Sequence, residues 1–338
     1  MFTVTLSLLF QKLFGNDAVQ KKSETISFSL LTIAPFFIWG TTAVTMRTVV
    51  LESSPFFVAG VRLLLAGLLV LLLAFILKIP QPKTLKAWLW VLCLALLQGV
   101  MLHGFLAAGF ETINAGLGSV IVDSNPLFVA ILSSILFREK VGLWGGIGLV
   151  IGILGISLIS LPESWLFSGL SNSLPKSLNW RNLKNYGSLL MLLSTFFKAL
   201  ATVMIPFITR LVHPIVTTGW AFLIGGLPLL VFSGIWESQQ WVHLDTLTVG
   251  YWVELIYTGL FGSAIAYAIY FYLASRESLT SFTSLSFLTP VFALTGGYIF
   301  LGETLSLWKF LGICLTLVSV YIIQKRDQLG STSSEGDN

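Results

Sequence analysis

Two charged side chains sit in the middle of long apolar runs, where a charge must be used or neutralised. Asp123 lies about ten residues into the run 113–137, which at about 1.5 Å per residue puts it about 15 Å deep in a bilayer. A carboxylate there costs on the order of 3 kcal/mol, so it pairs, takes up a proton or faces water. It could carry a coupling proton, bind a substrate amine, or pair structurally with a nearby cation or hydroxyl. Lys198 lies about twelve residues into the run 186–208, at similar depth. It could neutralise Asp123, receive a substrate carboxylate, or extend its stem to a wet crevice without touching a ligand. If the two meet, their protons belong to the pair. An acid and a base at one depth suit a zwitterion such as an amino acid.

Other residues could support that chemistry. Arg62, nearly two turns into its run, is effectively always charged, so it cannot cycle a proton. It reads as a packing or gating ion-pair partner in preference to a ligand contact, with Glu52, Glu111 and Asp123 as candidate carboxylates. His103 could titrate near neutral pH and take part in coupling, or serve as a hydrogen-bonded packing residue. Pro126 and Pro290 should each kink a helix, free a carbonyl and act as hinges, or impose static bends. Asn125, Ser284 and Thr289, beside those prolines, add hydrogen-bonding groups. Most aromatics should face lipid or its interface; Trp39 and Tyr267 are selected as cavity walls. Glu254 reads as an interfacial carboxylate. Glu139 and Glu303, at turns into apolar runs, read as helix caps. Cys93 and Cys314 lack ligand spacing and read as small core residues. There is no metal-ligand cluster, no phosphate-binding glycine loop and no nucleophile with its base, so ATP hydrolysis is disfavoured and neither metal nor cofactor is expected.

These residues are embedded in apolar sequence. Only 10% of the 338 residues are charged and 55% are apolar, against about 25% charged in soluble domains. Ten runs have membrane-spanning length: 26–46, 55–77, 87–108, 113–137, 142–161, 186–208, 215–235, 250–273, 279–301 and 307–323. The predicted fold is an all-α integral membrane protein of ten transmembrane helices. With the N-terminus inside, twelve basic residues fall in inner segments and five in outer ones, which puts both termini in the cytoplasm. The net charge of +4 lies between spans rather than on one soluble face, so it signals topology and not a nucleic-acid partner. Residues 1–25 form an N-terminal cytoplasmic segment in which Phe2, Leu6, Leu9, Phe10 and Leu13 suggest a retained interfacial helix. The polar residues 325–338 have nothing to bury and read as a disordered tail.

The spans are duplicated. At an offset of 164 the stretch 104–159 returns without a gap as 268–323, laying Pro126 on Pro290, Glu139 on Glu303, Trp144 on Trp308 and Gly148 on Gly312. An offset of 159 lays Pro55 on Pro214, Gly60 on Gly219, Gly67 on Gly226 and Trp39 on Lys198. Repeats 26–161 and 186–324, joined by an extracytoplasmic linker 162–185, hold five spans each. Because five is odd, the second repeat is inverted relative to the first. Arg138-Glu139-Lys140 is matched by Gly302-Glu303-Thr304, which has lost both cations, as an outer turn should. Paired membrane repeats suggest a transporter with a cavity near mid-membrane, at the interface of the halves.

Each half carries an internal Pro, a Glu-containing turn about a dozen residues later, and a Gly-rich final span. The runs Asn114-Ala115-Gly116-Leu117-Gly118-Ser119 to Asn125-Pro126 and Leu279 through Ser284 and Pro290 to Gly302-Glu303 resemble the drug/metabolite transporter superfamily, specifically its EamA type. The resemblance covers roughly 30–323. It implies a secondary transporter working by alternating access, usually an exporter of amino acids, other metabolites or toxic compounds. It also implies a central cavity, whose lining we expect from the third, fourth, eighth and ninth spans flanked by the first and sixth. The expected partners are the bilayer, a small solute and a proton, with a plasma (inner) membrane location. Gly145, Gly146, Gly148, Gly152 and Gly155 give the fifth span a small-residue face, for packing within one monomer or at a homodimer contact. Efflux of lipophilic cations, and a membrane lipid-handling protein or enzyme using Asp123 and Lys198, remain open alternatives.

Overall fold

The computed structural model describes residues 17–137, 142–160, 187–267, 269 and 288–334. Among the described residues the protein is all helix, without strands. The main helices are α1 (Asp17–Glu52), α2 (Pro55–Ile76), α3 (Leu85–Phe110), α4 (Ala115–Asp123 continued by Asn125–Phe137), α5 (Gly142–Ser160), α6 (Gly187–Ile208), α7 (Pro214–Trp236), α8 (Val249–Gly259 continued by Leu260–Ile265), α9 (Leu288–Leu301) and α10 (Leu307–Ser334). Seven of them, α1 to α7, are long and apolar enough to cross a membrane. Leu288–Leu301 and Leu307–Ile323 are apolar but shorter. The rest of the expected eighth span and the start of the ninth, with Ser284, lie outside the described residues, as do the N-terminal sixteen, the linker 162–185 and Glu139.

The helix starts repeat between the halves. α2 and α7 both begin on a proline, Pro55 and Pro214, whose missing N–H costs nothing in a first turn. α3 and α8 are both capped by a threonine: Thr84 Oγ1 accepts from Ala87 N at 3.2 Å, and Thr248 Oγ1 from Tyr251 N at 3.1 Å. Thr84 and Thr248 are 164 residues apart, so the repeat extends upstream of position 104. Both helices then widen into a π-helical stretch at matching positions, Ala95–Leu102 and Leu260–Ile265.

Apolar surfaces of membrane helices gain nothing by leaving lipid for each other, so close packing must hold the bundle. α2 packs on α7 through pseudo-symmetric glycines. A Cβ at Gly67 would lie 2.6 Å from the Leu223 nitrogen, one at Gly60 2.7 Å from Leu230, and one at Gly226 3.1 Å from the Gly60 carbonyl. α5 packs on α10 in the same way: a Cβ at Gly155 would meet the Thr316 nitrogen at 2.7 Å, and one at Gly312 the Gly155 carbonyl at 2.8 Å. The small-residue face of α5 is therefore used within the monomer. Leu68, Leu72, Phe75, Ile153 and Phe300 point outward, exposed, where lipid would solvate them.

α10 continues to Ser334, into the polar stretch whose composition suggests an unstructured tail. Gln324, Lys325, Arg326, Gln328 and Leu329 are strong helix formers with no glycine before Gly330, so an established helix propagates through them.

Gly67→Ala should lower stability by about 1–3 kcal/mol, because its Cβ meets backbone rather than a movable side chain. Gly146→Ala meets nothing within 4 Å and should leave stability unchanged or raise it by up to about 1 kcal/mol. Thermal unfolding of the two purified variants in one detergent makes the comparison; equal effects would mean that α2 and α7 are not in intimate contact.

Candidate functional site

Between the halves lies a cavity of about 520 Å³. Its walls come from α1, α3, α4 and α6, with Arg62 of α2, the first turn of α7, Gly262 and Tyr267 of α8, and Thr289 of α9. Compared with the expected lining, α2 and α7 are added, and the described parts of α8 and α9 contribute little.

One end of the bundle is closed over this cavity. Glu303 reaches back across the repeats, and its carboxylate accepts from Ala115 N at 2.7 Å and Gly116 N at 3.4 Å, the first amides of α4. The sequence placed Glu303 as a cap at its own turn into α10; it caps the opposite repeat instead. The turn makes this reach possible. Gly302 is left-handed at φ 63°, as only glycine readily allows, and Gly297 has no Cβ to obstruct the Glu303 carboxylate. At the same end the Arg47 guanidinium donates to the Phe110 carbonyl. From Met46 and Phe110 the cavity extends to Ile208, Thr209 and Pro214, where α6 turns into α7 at the other end.

Asp123 and Lys198 meet in the cavity wall. Lys198 Nζ is 3.7 Å from Asp123 Oδ1, with the two side chains 30% and 20% exposed respectively. Ser119, one turn before Asp123, donates its hydroxyl to Oδ2 at 3.2 Å. Pro126 prepares the place of Lys198. Lacking an N–H, it leaves the Val122 carbonyl without its helical donor, and Lys198 Nζ lies 3.5 Å from that oxygen. The helix breaks at Ser124, and the neighbouring Ile121 carbonyl accepts from the hydroxyls of Ser124 at 2.6 Å and Thr195 at 3.1 Å. A broken helix inside an apolar span is thus re-satisfied by α6, which also delivers the lysine.

The π-helical stretches do the same in α3 and α8. His103 Nδ1 lies 2.6 Å from the Gln98 carbonyl; a carbonyl only accepts, so Nδ1 carries the proton. At the matching place in α8, the Gly262 carbonyl accepts from Trp39 Nε1 at 3.0 Å. Trp39 packs edge-on against Tyr267, ring centroids 5.3 Å apart. His103 is 4% exposed, edge-on to Phe222, and lines the cavity.

Arg62 meets none of the three carboxylates considered for it. It is 6% exposed, and among the described residues its hydrogen bond is Nε to Ser263 Oγ at 3.2 Å. Asn125 lines the cavity with its Oδ1 unbonded among the described residues. Pro290 falls in the first turn of the described part of α9, away from the cavity lining. Sequence reasoning missed Ser119, Ser263 and Thr195. Ser119 stands four residues before Asp123 and Ser263 four before Tyr267, the spacing of neighbours on one helix face, so that signal was present.

Because Asp123 and Lys198 neutralise each other, Lys198→Met should destabilise the protein by about 1–3 kcal/mol, by leaving a carboxylate without its cation. The double variant Asp123→Asn, Lys198→Met should return to within about 1 kcal/mol of wild type. A thermal-unfolding double-mutant cycle measures this, and additive losses would show that the two do not interact.

The EamA-like transporter family matches residues 26–161 and 185–324, the two repeats. An uncharacterized transporter of Synechocystis sp. is 48% identical over 314 residues, covering 92% of this chain and 94% of that protein. A chloroplastic WAT1-related protein of Arabidopsis thaliana is 41% identical over 292 residues, 86% of this chain and 68% of that protein. A crystal structure aligns with a TM-score of 0.56 at 14% identity, over 88% of this chain and 96% of its own, a likeness of fold. With the two matched segments, the apolar helices and the cavity between them, this integral membrane chain belongs to the EamA-like transporter family.

Proposed function

We propose that the protein is a ten-span secondary active transporter that exports small metabolites such as amino acids by alternating access, with a proton as the coupling ion. The observation that carries this reading is a central cavity closed at the Glu303 end, with the Asp123–Lys198 pair in its wall. Both termini lie on the cytoplasmic side of the plasma membrane in this proposal, supported by the excess of basic residues in the segments assigned to that side. The end at Thr209 and Pro214 would then face the cytoplasm, and this arrangement would be an inward-facing form. Export requires Glu303 to release the amides of α4 while the opposite end closes.

Proton uptake at Asp123 would remove the attraction that holds Lys198, loosening α4 from α6 next to the break at Ser124. Such a pair converts a proton into a change of contact between two helices, a differential interaction of the kind a conformational shift requires. The groups facing Asp123 are Ser119 on its own helix and Lys198 on α6. The energy source would be a solute or proton gradient. Efflux of lipophilic cations calls for an unpaired Asp123, and the 3.7 Å approach of Lys198 speaks against it.

The test is counterflow into proteoliposomes with amino acids, sugars and cationic dyes, with and without a pH gradient. We expect one solute class to be taken up by the wild type and stimulated by the gradient. Asp123→Asn should reduce the gradient-driven rate by about 100-fold, within the range for loss of a positioned acid–base group. Wild-type rate and unchanged pH dependence in that variant would remove Asp123 from the coupling role.

A further inference from the structure

The pairing of Asp123 with Lys198 leaves one cavity charge unanswered. Among the described residues lining the cavity the charged side chains are Asp123, Lys198 and Arg62, and the first two are partners. Arg62 is 6% exposed. Of the five N–H donors of a guanidinium, only Nε is engaged among the described residues, to Ser263 Oγ at 3.2 Å. A buried cation in an apolar bundle with no carboxylate facing it is costly, and a fixed fork with unused donors matches a planar carboxylate.

We propose that Arg62 anchors the carboxylate of a small organic acid with an apolar body, in a subsite on the Ser263–Tyr267 side of the cavity, distinct from the Asp123–Lys198 pair. Ser263 aims the fork. Its hydroxyl donates to the Thr258 carbonyl at 3.5 Å, across the π-helical stretch, and so presents a lone pair to Arg62 Nε. That leaves the two terminal nitrogens of the guanidinium for a ligand. Tyr267, four residues beyond Ser263, forms with Trp39 and Phe36 an aromatic wall of the cavity that Arg62 also lines. The acid's body would lie against Met46, Leu102 and Leu106.

The internal repeat argues that Arg62 is not needed to hold α2 against α8, whose Ser263 it meets. At the offset that superposes Gly60 on Gly219 and Gly67 on Gly226, Arg62 falls on Ala221. The matching pairing, α7 against α3, places Ala221 beside Gly99 and is therefore built with a methyl group, so the guanidinium is an addition to one half. This deepens the transport reading and rests on it for its physiological meaning: the transported solute bears a carboxylate, and in a zwitterion it is the carboxylate that finds Arg62.

The test is ligand-induced thermal stabilisation of the purified full chain at constant ionic strength. Three probes share one apolar body: 3-phenylpropanoate, phenylalanine and phenethylamine, with sodium chloride and sodium phosphate as inorganic arms. We expect saturable stabilisation by the acid, the same or less by phenylalanine, and none by the amine. Half-saturation by the acid should move at least tenfold higher in Arg62→Gln. Arg62→Lys, which keeps the charge and loses the fork, should fall between Arg62→Gln and wild type and serves if Arg62→Gln does not fold; Gly146→Ala should titrate like wild type. Stabilisation by the amine and not the acid overturns the proposal, as does acid binding that is indifferent to Arg62, or no saturable effect of the acid. An Arg62-dependent effect of chloride or phosphate with none from the acid assigns the fork to an inorganic ion and also overturns it. The counterflow assay is read separately: Arg62-dependent acid binding with no flux of any solute removes the transport reading and leaves the subsite standing.

Discussion

In hydrocarbon a backbone carbonyl that loses its helical donor has no water to turn to, and the site is organised around that constraint. Three interrupted places in the helices lining the cavity are the Ser124 break in α4 and the π-helical stretches of α3 and α8. At each, side chains supply hydrogen bonds that a regular helix does not provide. Lys198 approaches Val122, Thr195 reaches Ile121, His103 takes Gln98 and Trp39 takes Gly262. The residues with the most evident chemistry are thus the ones that make irregular backbone tolerable, which ties their positions to helix geometry more tightly than charge pairing alone would.

The two halves share a scaffold and differ in the groups placed on it. Threonine caps, helix-starting prolines, glycine contacts and π-helical stretches recur at matching positions. The cavity's functional groups do not: Lys198 stands where the first half has Trp39, Tyr267 where it has His103, and Ala221 where it has Arg62. In the proposed alternating-access reading, inverted repeats would supply two alternative packings of similar energy. Departures from symmetry give the cavity an unequal lining, with Arg62 and Tyr267 on α2 and α8 and with Ser119, Asp123 and Lys198 on α4 and α6.

The closed end shows how the halves hold one another. The Glu303 carboxylate sits at the positive end of α4, so an interaction worth little on one helix becomes a clasp between repeats. Its reach depends on glycine at 302 for the left-handed turn and at 297 for space. Helix N-termini bind carboxylates wherever the amides are free, and such a contact breaks without rearranging either helix internally, as the proposed opening of this end would require.

By itself, the amino-acid sequence determined the all-helical membrane class and the duplication, and it singled out Asp123, Lys198 and Pro126, because apolar length, repeat offsets and mid-span charges are local properties of the chain. It also held the material for Ser119 and Ser263, at helical spacing from residues already singled out. Only the tertiary structure decided that Lys198 answers Asp123, that Glu303 caps α4 rather than the helix it precedes, that Gly148, Gly152 and Gly155 of α5 face α10, and that Arg62 turns to a serine instead of a carboxylate. Each of these pairs residues far apart in the chain, and which of several candidate partners is met depends on helix rotation and on where a helix departs from 3.6 residues per turn. A π-helical stretch rotates everything beyond it, and no residue pattern in 95–102 or 260–265 announces one.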